Sequence, residues 1–156
     1  MTEFLAITKE IHAILKEWEP RLESLPVETI TERKNSQERT IKMILGHLID
    51  STSNNIHRIV HLQYQTSPLT FPNYATFGNN DRWIEIQNYQ DEDWQQMIQL
   101  WKYSTLHFCH VINNVNDDKL ENEWIAGPGR NITLRTMIIF YLDHLKLHLA
   151  EISKLL

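Results

Sequence analysis

Apolar residues return along most of this chain at alternating steps of three and four, the spacing that lines one face of an α-helix. Four stretches carry the pattern. In the first, Phe4, Leu5, Ile7, Ile11, Ile14, Leu15 and Trp18 recur, and Pro20 is placed to bend or end the helix. The second opens after Thr40, whose hydroxyl suits an N-cap, and runs through IKMILGHLIDSTSNNIHRIVHL to about Gln63. The third starts near Asp91, an acid favoured at a helix N-terminus, and carries Trp94, Ile98, Trp101, Leu106 and Val111. The fourth starts near Thr133, and its seam of Ile138, Leu142, Leu145, Leu149, Ile152 and Leu156 has the regularity of a bundle helix. The expected fold is all-α, a four-helix bundle with helices over roughly 2–25, 40–64, 91–116 and 132–155.

The segments between the helices differ in kind. TSPLTFPNYATFGNNDRWIEIQNYQ, between the second and third helices, far exceeds the ~2–8 residues usual within a bundle. It suits a crossover running along the bundle or a lid over its mouth. AGPGRN, before the fourth helix, reads as a turn. The length of 156 residues fits one domain, 1–156, with 42% hydrophobic and 22% charged residues. No run of ~18 apolar residues is present, so no membrane span is expected. A net charge of −5 gives no basic footprint for nucleic acid. The one cysteine, Cys109, excludes an internal disulfide and every multi-Cys zinc site. No secretory leader is visible, and a cytoplasmic location is expected.

Chemistry enters with the histidines. At about 100° per residue, His144 and His148 fall on one flank of the fourth helix's seam, one turn apart, beside Met137, Tyr141 and Leu155. That spacing lets one helix offer two imidazoles to one ion, although such a pair is also common at helix boundaries. On the second helix His47 borders the apolar stripe, with Ser51, Asn54 and Arg58 on the same side. Asp50, one turn on, is a candidate acceptor for an imidazole N–H, or an ordinary solvated acid. His57 and His61 form a rival pair on the polar side, read as exposed. His107 and His110 flank Cys109, where a Cys/His site stays open, and His12 has no histidine companion. The leading constellation is His47 with His144 and His148.

Two stretches resemble the motifs of a known family. GHLIDS, residues 46–51, is similar to the first motif of the DinB and YfiT-like superfamily, and YLDHLKLHLAEI, residues 141–152, resembles its second. The resemblance extends over nearly the whole chain in length and helix order. It implies an up-down-down-up bundle with a long crossover between helices two and three, and a homodimer. It also implies a divalent metal, zinc or nickel, on His47, His144 and His148. Relatives include thiol-dependent S-transferases, a maleylpyruvate isomerase using a low-molecular-weight thiol, and metal-dependent hydrolases.

The reading that follows is a metal-dependent enzyme of small molecules, a thiol-dependent transferase or a hydrolase. Three imidazoles leave coordination positions open for water or thiol, so no protein nucleophile is required. Tyr141, Arg58, Arg82 and Trp83 are candidate pocket residues, each with a plain alternative in core packing or surface charge. The competing reading is a non-catalytic helical binding or stress-response protein with a vestigial metal site or none.

Overall fold

A computed structural model of the chain describes residues 3–156. Four long helices dominate it: α1 (Leu5–Glu23), α3 (Ile41–Tyr64), α5 (Trp94–Asn113) and α6 (Leu134–Ser153). The expected start of the first helix at Thr2 lies outside the described residues. The cap expected at Thr40 forms, its hydroxyl accepting from the Met43 amide, and at the start of α6 Thr133 accepts from the Thr136 amide. The cap of α5 is Asp93, two residues beyond the expected Asp91, and it accepts from the Gln96 amide at 2.8 Å. Pro20 does not end α1, which continues through it to Glu23. A proline in the last turn forfeits one amide bond without obstructing the few residues after it.

The helices form a ring in which α1 and α3 each pack against both α5 and α6. End-to-end contacts set the directions. Glu3 and Arg135 pair at the starts of α1 and α6, so these run parallel. The Trp94 indole donates to the Leu22 carbonyl, joining the start of α5 to the end of α1. The Asn116 amide donates to Gln63, joining the ends of α5 and α3. Arg33, just before α3, donates to the carbonyls of Leu155 and Leu156, beyond the end of α6. The order is therefore up, down, down, up. Trp101, Phe108, Ile44, Leu45, Ile138 and Ile152 are among the side chains closed off inside the ring. Trp94 and Trp101 are core residues, so neither forms an outer face.

Three smaller elements were not legible from periodicity. A short α2 (Val27–Glu32) follows α1, and α4 (Asn79–Gln87) lies inside the long crossover, ahead of a 3-10 turn at Tyr89–Asp91. An antiparallel hairpin of β1 (Glu123–Gly127) and β2 (Arg130–Thr133) precedes α6. Its turn falls on the Pro–Gly of AGPGRN, with Gly129 at φ 67°, a conformation glycine adopts without steric cost. The hairpin lies outside the helical core, so the bundle remains all-α at its centre.

The crossover binds to this hairpin through Leu69, whose amide donates to the Glu123 carbonyl and whose carbonyl accepts from the Ile125 amide. That docking leaves Tyr74 of the crossover and Trp124 of the hairpin lining one cavity with residues of α3 and α6. Further along, the Tyr89 ring lies directly on Gly46 of α3, where a side chain's Cβ would stand 2.2 Å from a ring carbon. The Tyr89 hydroxyl donates to Asp50 at 2.7 Å. The Gly and Asp of GHLID thus seat the crossover on α3.

Candidate metal centre

α3 and α6 run antiparallel, and the flanks that carry His47 and the His144–His148 pair meet in the groove between them. Antiparallel packing places the early part of α3 against the late part of α6. Nε2 of His144 lies 3.1 Å from Nε2 of His47 and 3.0 Å from Nε2 of His148. The rings stand edge to face, with interplanar angles of 63–76°, so their Nε2 apices converge on one region. Among the described residues these three form the cluster with the spacing of a metal site.

The outer nitrogens show how the inner ones are used. His148 Nδ1 donates to Glu151 Oε2 at 2.9 Å. A carboxylate accepts only, so a neutral His148 carries its lone pair on Nε2, the nitrogen that faces the other two rings. His144 Nδ1 lies 3.3 Å from the Ser51 hydroxyl, on the turn of α3 after His47. His47 is buried, and its Nδ1 has no hydrogen-bond partner. Nitrogen apices facing one another this closely fit a shared cation, which the chemistry of three imidazoles can hold. Burial, with the neighbouring imidazoles His148 and His144 adding to it, pushes the His47 pKa down to about 2. Burial and His148 lower His144 to about 4. Both are therefore neutral at pH 7, the form that ligates.

Beside His144 opens a cavity of about 180 Å³. Ser51 and Arg58 of α3 line one wall, Met137 and Phe140 of α6 another, and Tyr74 with Trp124 close it above. The other candidate residues fall as follows. Asp50 does not accept from a site imidazole; its bonded oxygen takes Tyr89 and Gln87, and its second oxygen is buried without a partner. Tyr141 edges the cavity, but its hydroxyl is bonded to Thr52 at 2.7 Å and its ring stacks on Phe108, so it acts in the core. Arg82 folds back on Asn79 and the Phe77 carbonyl, exposed and away from the histidines. Trp83 lines a separate cavity of about 590 Å³ with Asp50, Gln87 and Tyr89.

The rival histidines stay apart from the centre. His57 and His61 face each other at 3.0 Å on the outer side of α3, edge-on to Phe71 and with no carboxylate among the described residues in their contacts. His107 and His110 are exposed, whereas Cys109 points inward, its thiol pushed up to about 12 by burial. His12 is exposed on α1. Glu151 was missed, although its position three residues after His148 is where a helix places a hydrogen-bond partner.

A family model for the DinB superfamily matches residues 10–152. The chain belongs to the DinB superfamily. Among solved structures, YfiT from Bacillus subtilis matches this DinB protein with a TM-score of 0.77 and 18% sequence identity, over 95% of this chain and 85% of that one. YfiT is described as a probable metal-dependent hydrolase with an unusual four-helix bundle topology. At that identity the likeness establishes the bundle and its topology. No curated protein matches the sequence. No helix among the described residues is long and apolar enough to cross a membrane.

Proposed function

We propose that His47, His144 and His148 hold one divalent ion, zinc or nickel, and that the protein uses it on small molecules. The reaction is transfer of a low-molecular-weight thiol to an electrophile, or a related hydrolysis. The observation that carries this reading is the convergence of three Nε2 atoms, with the outer nitrogen of His148 committed to a carboxylate. Bound there, the ion supplies a Lewis acid that lowers the pKa of a thiol or of water.

The chain's own residues do the rest. Glu151 fixes the His148 tautomer and raises its basicity, and Ser51 orients His144. The cavity beside His144 receives the substrate against Met137 and Phe140. Cys109, the chain's single cysteine, is buried with its pKa near 12, so the protein offers no thiolate of its own. A thiol cosubstrate from solution fits that arrangement.

The test is metal content of protein purified without a His tag, followed by a panel of glutathione, bacillithiol and mycothiol with a chromogenic electrophile. His148→Ala should lower metal affinity by at least about tenfold, whereas His57→Ala should leave it unchanged. Equal affinity in the wild type and His148→Ala removes the assignment. Turnover that is absent across the panel and with ester and amide substrates would favour a non-catalytic binding protein.

A further inference from the structure

Arg58 is 4% exposed and lines the cavity beside His144, yet no carboxylate among the described residues pairs with it. Its guanidinium is stacked on Trp124, 3.9 Å from the ring centroid, and lies 5.2 Å from that of Tyr74. Those ring faces stabilise the charge, but they accept none of its five N–H bonds. Among the described residues no hydrogen bond or ion pair from Arg58 occurs. The contrast with Arg39, equally buried at 4% exposure, is direct: Arg39 donates two bonds to Asp81, at 2.9 and 2.8 Å. None of its nitrogens is sealed off from the cavity, so they stand open to an acceptor that enters it. Every polar group that shares the cavity wall is neutral: Ser51, Asn55, Tyr74, Tyr141 and His144. Burial lowers the Arg58 pKa but leaves an arginine charged at neutral pH.

Geometry sets where this cation stands. Arg58 follows Ser51 by two turns of α3, about 10 Å along the axis, and helical side chains lean back toward the N-terminus. The guanidinium therefore reaches toward the histidine end, in a cavity that apolar Met137 and Phe140 also line. We propose that Arg58 is the specificity-determining residue of this cavity, binding a carboxylate on a small substrate whose other end reaches the three histidines. A planar guanidinium clamped by rings presents its fork in a fixed plane, which matches a planar carboxylate in two parallel bonds. The proposal rests on the histidine centre as the reacting end, but Arg58 recognition can be measured apart from it.

The probes are 6-mercaptohexanoate and 6-mercaptohexan-1-ol, which differ in the carboxylate alone, titrated calorimetrically into metal-loaded and metal-free protein. Wild type should bind the carboxylate about 10- to 100-fold more tightly than the alcohol in both forms. In Arg58→Gln that preference should disappear, while the affinity for metal stays unchanged and so reports an intact fold. Arg58→Lys, which keeps the charge but loses the fork, should retain a reduced preference. No preference in the wild type overturns the proposal, as does an undiminished preference in folded Arg58→Gln. If Arg58→Gln does not fold, the wild-type comparison and Arg58→Lys decide. A protein that holds no metal but prefers the carboxylate would sink the metal reading and leave Arg58 recognition standing.

Discussion

Gly46→Ala is the sharpest test of how the crossover is anchored. A Cβ at position 46 would lie 2.2, 2.5 and 2.7 Å from three carbons of the Tyr89 ring, against 3.4–4 Å for ordinary contact. The ring is 3% exposed, so it has little space into which to retreat. Displacing it also withdraws its hydroxyl from Asp50, whose other oxygen already has no partner. Overpacking costs about 1–3 kcal/mol and a lost hydrogen bond to a buried carboxyl about 1–2 kcal/mol. Alanine returns about 1 kcal/mol through its better helix propensity. The net expectation is a loss of about 1–4 kcal/mol, or about 2–15 °C in Tm for a chain of this size. Urea denaturation followed by circular dichroism measures it. The control is the same substitution in a Tyr89→Ala background, where the clash is gone and alanine should be neutral or stabilising. A change of under about 0.5 kcal/mol in the Tyr89 background, or equal losses in both, would refute the argument.

Two further outcomes follow from the histidine centre. Glu151→Gln keeps the size of the side chain but removes the carboxylate on His148 Nδ1, so metal affinity measured by competition with a chromogenic chelator should fall about 10- to 100-fold. Metal-free protein should lose stability on acidification. His47 and His144 have folded pKa values near 2 and 4, below the ordinary 6.5, so the unfolded chain binds more protons from pH 6.5 downward. Their contribution is complete above pH 6.5 and is lost as pH falls toward 4, each group adding up to about 1.4 kcal/mol per pH unit. Asp50, its pKa raised by burial, opposes this with at most one proton, so the net slope keeps its sign. Denaturation midpoints that stay flat between pH 6.5 and 4.5 would contradict this.

Sequence alone determined the four long helices, because each buries one stripe and a 3.6-residue period records that stripe locally. It also determined the cap at Thr40, and the flanks that His47, His144 and His148 occupy. These are relations within a single helix, where position follows from counting. Residues that meet across elements were beyond that reach. Asp50 stands one turn from His47, yet its partner is Tyr89, delivered by the crossover, because the neighbouring Gly46 leaves room for a ring. Arg58 was open to two readings, a pocket residue or a surface charge, and Tyr74 of the crossover and Trp124 of the hairpin, lying over it, decide for the pocket. α2, α4 and the hairpin are too short for periodicity to identify, and they form because the bundle offers them surfaces to cover. Helical periodicity shows which face of a helix is buried, while the residue opposite is chosen by packing between segments far apart in the chain.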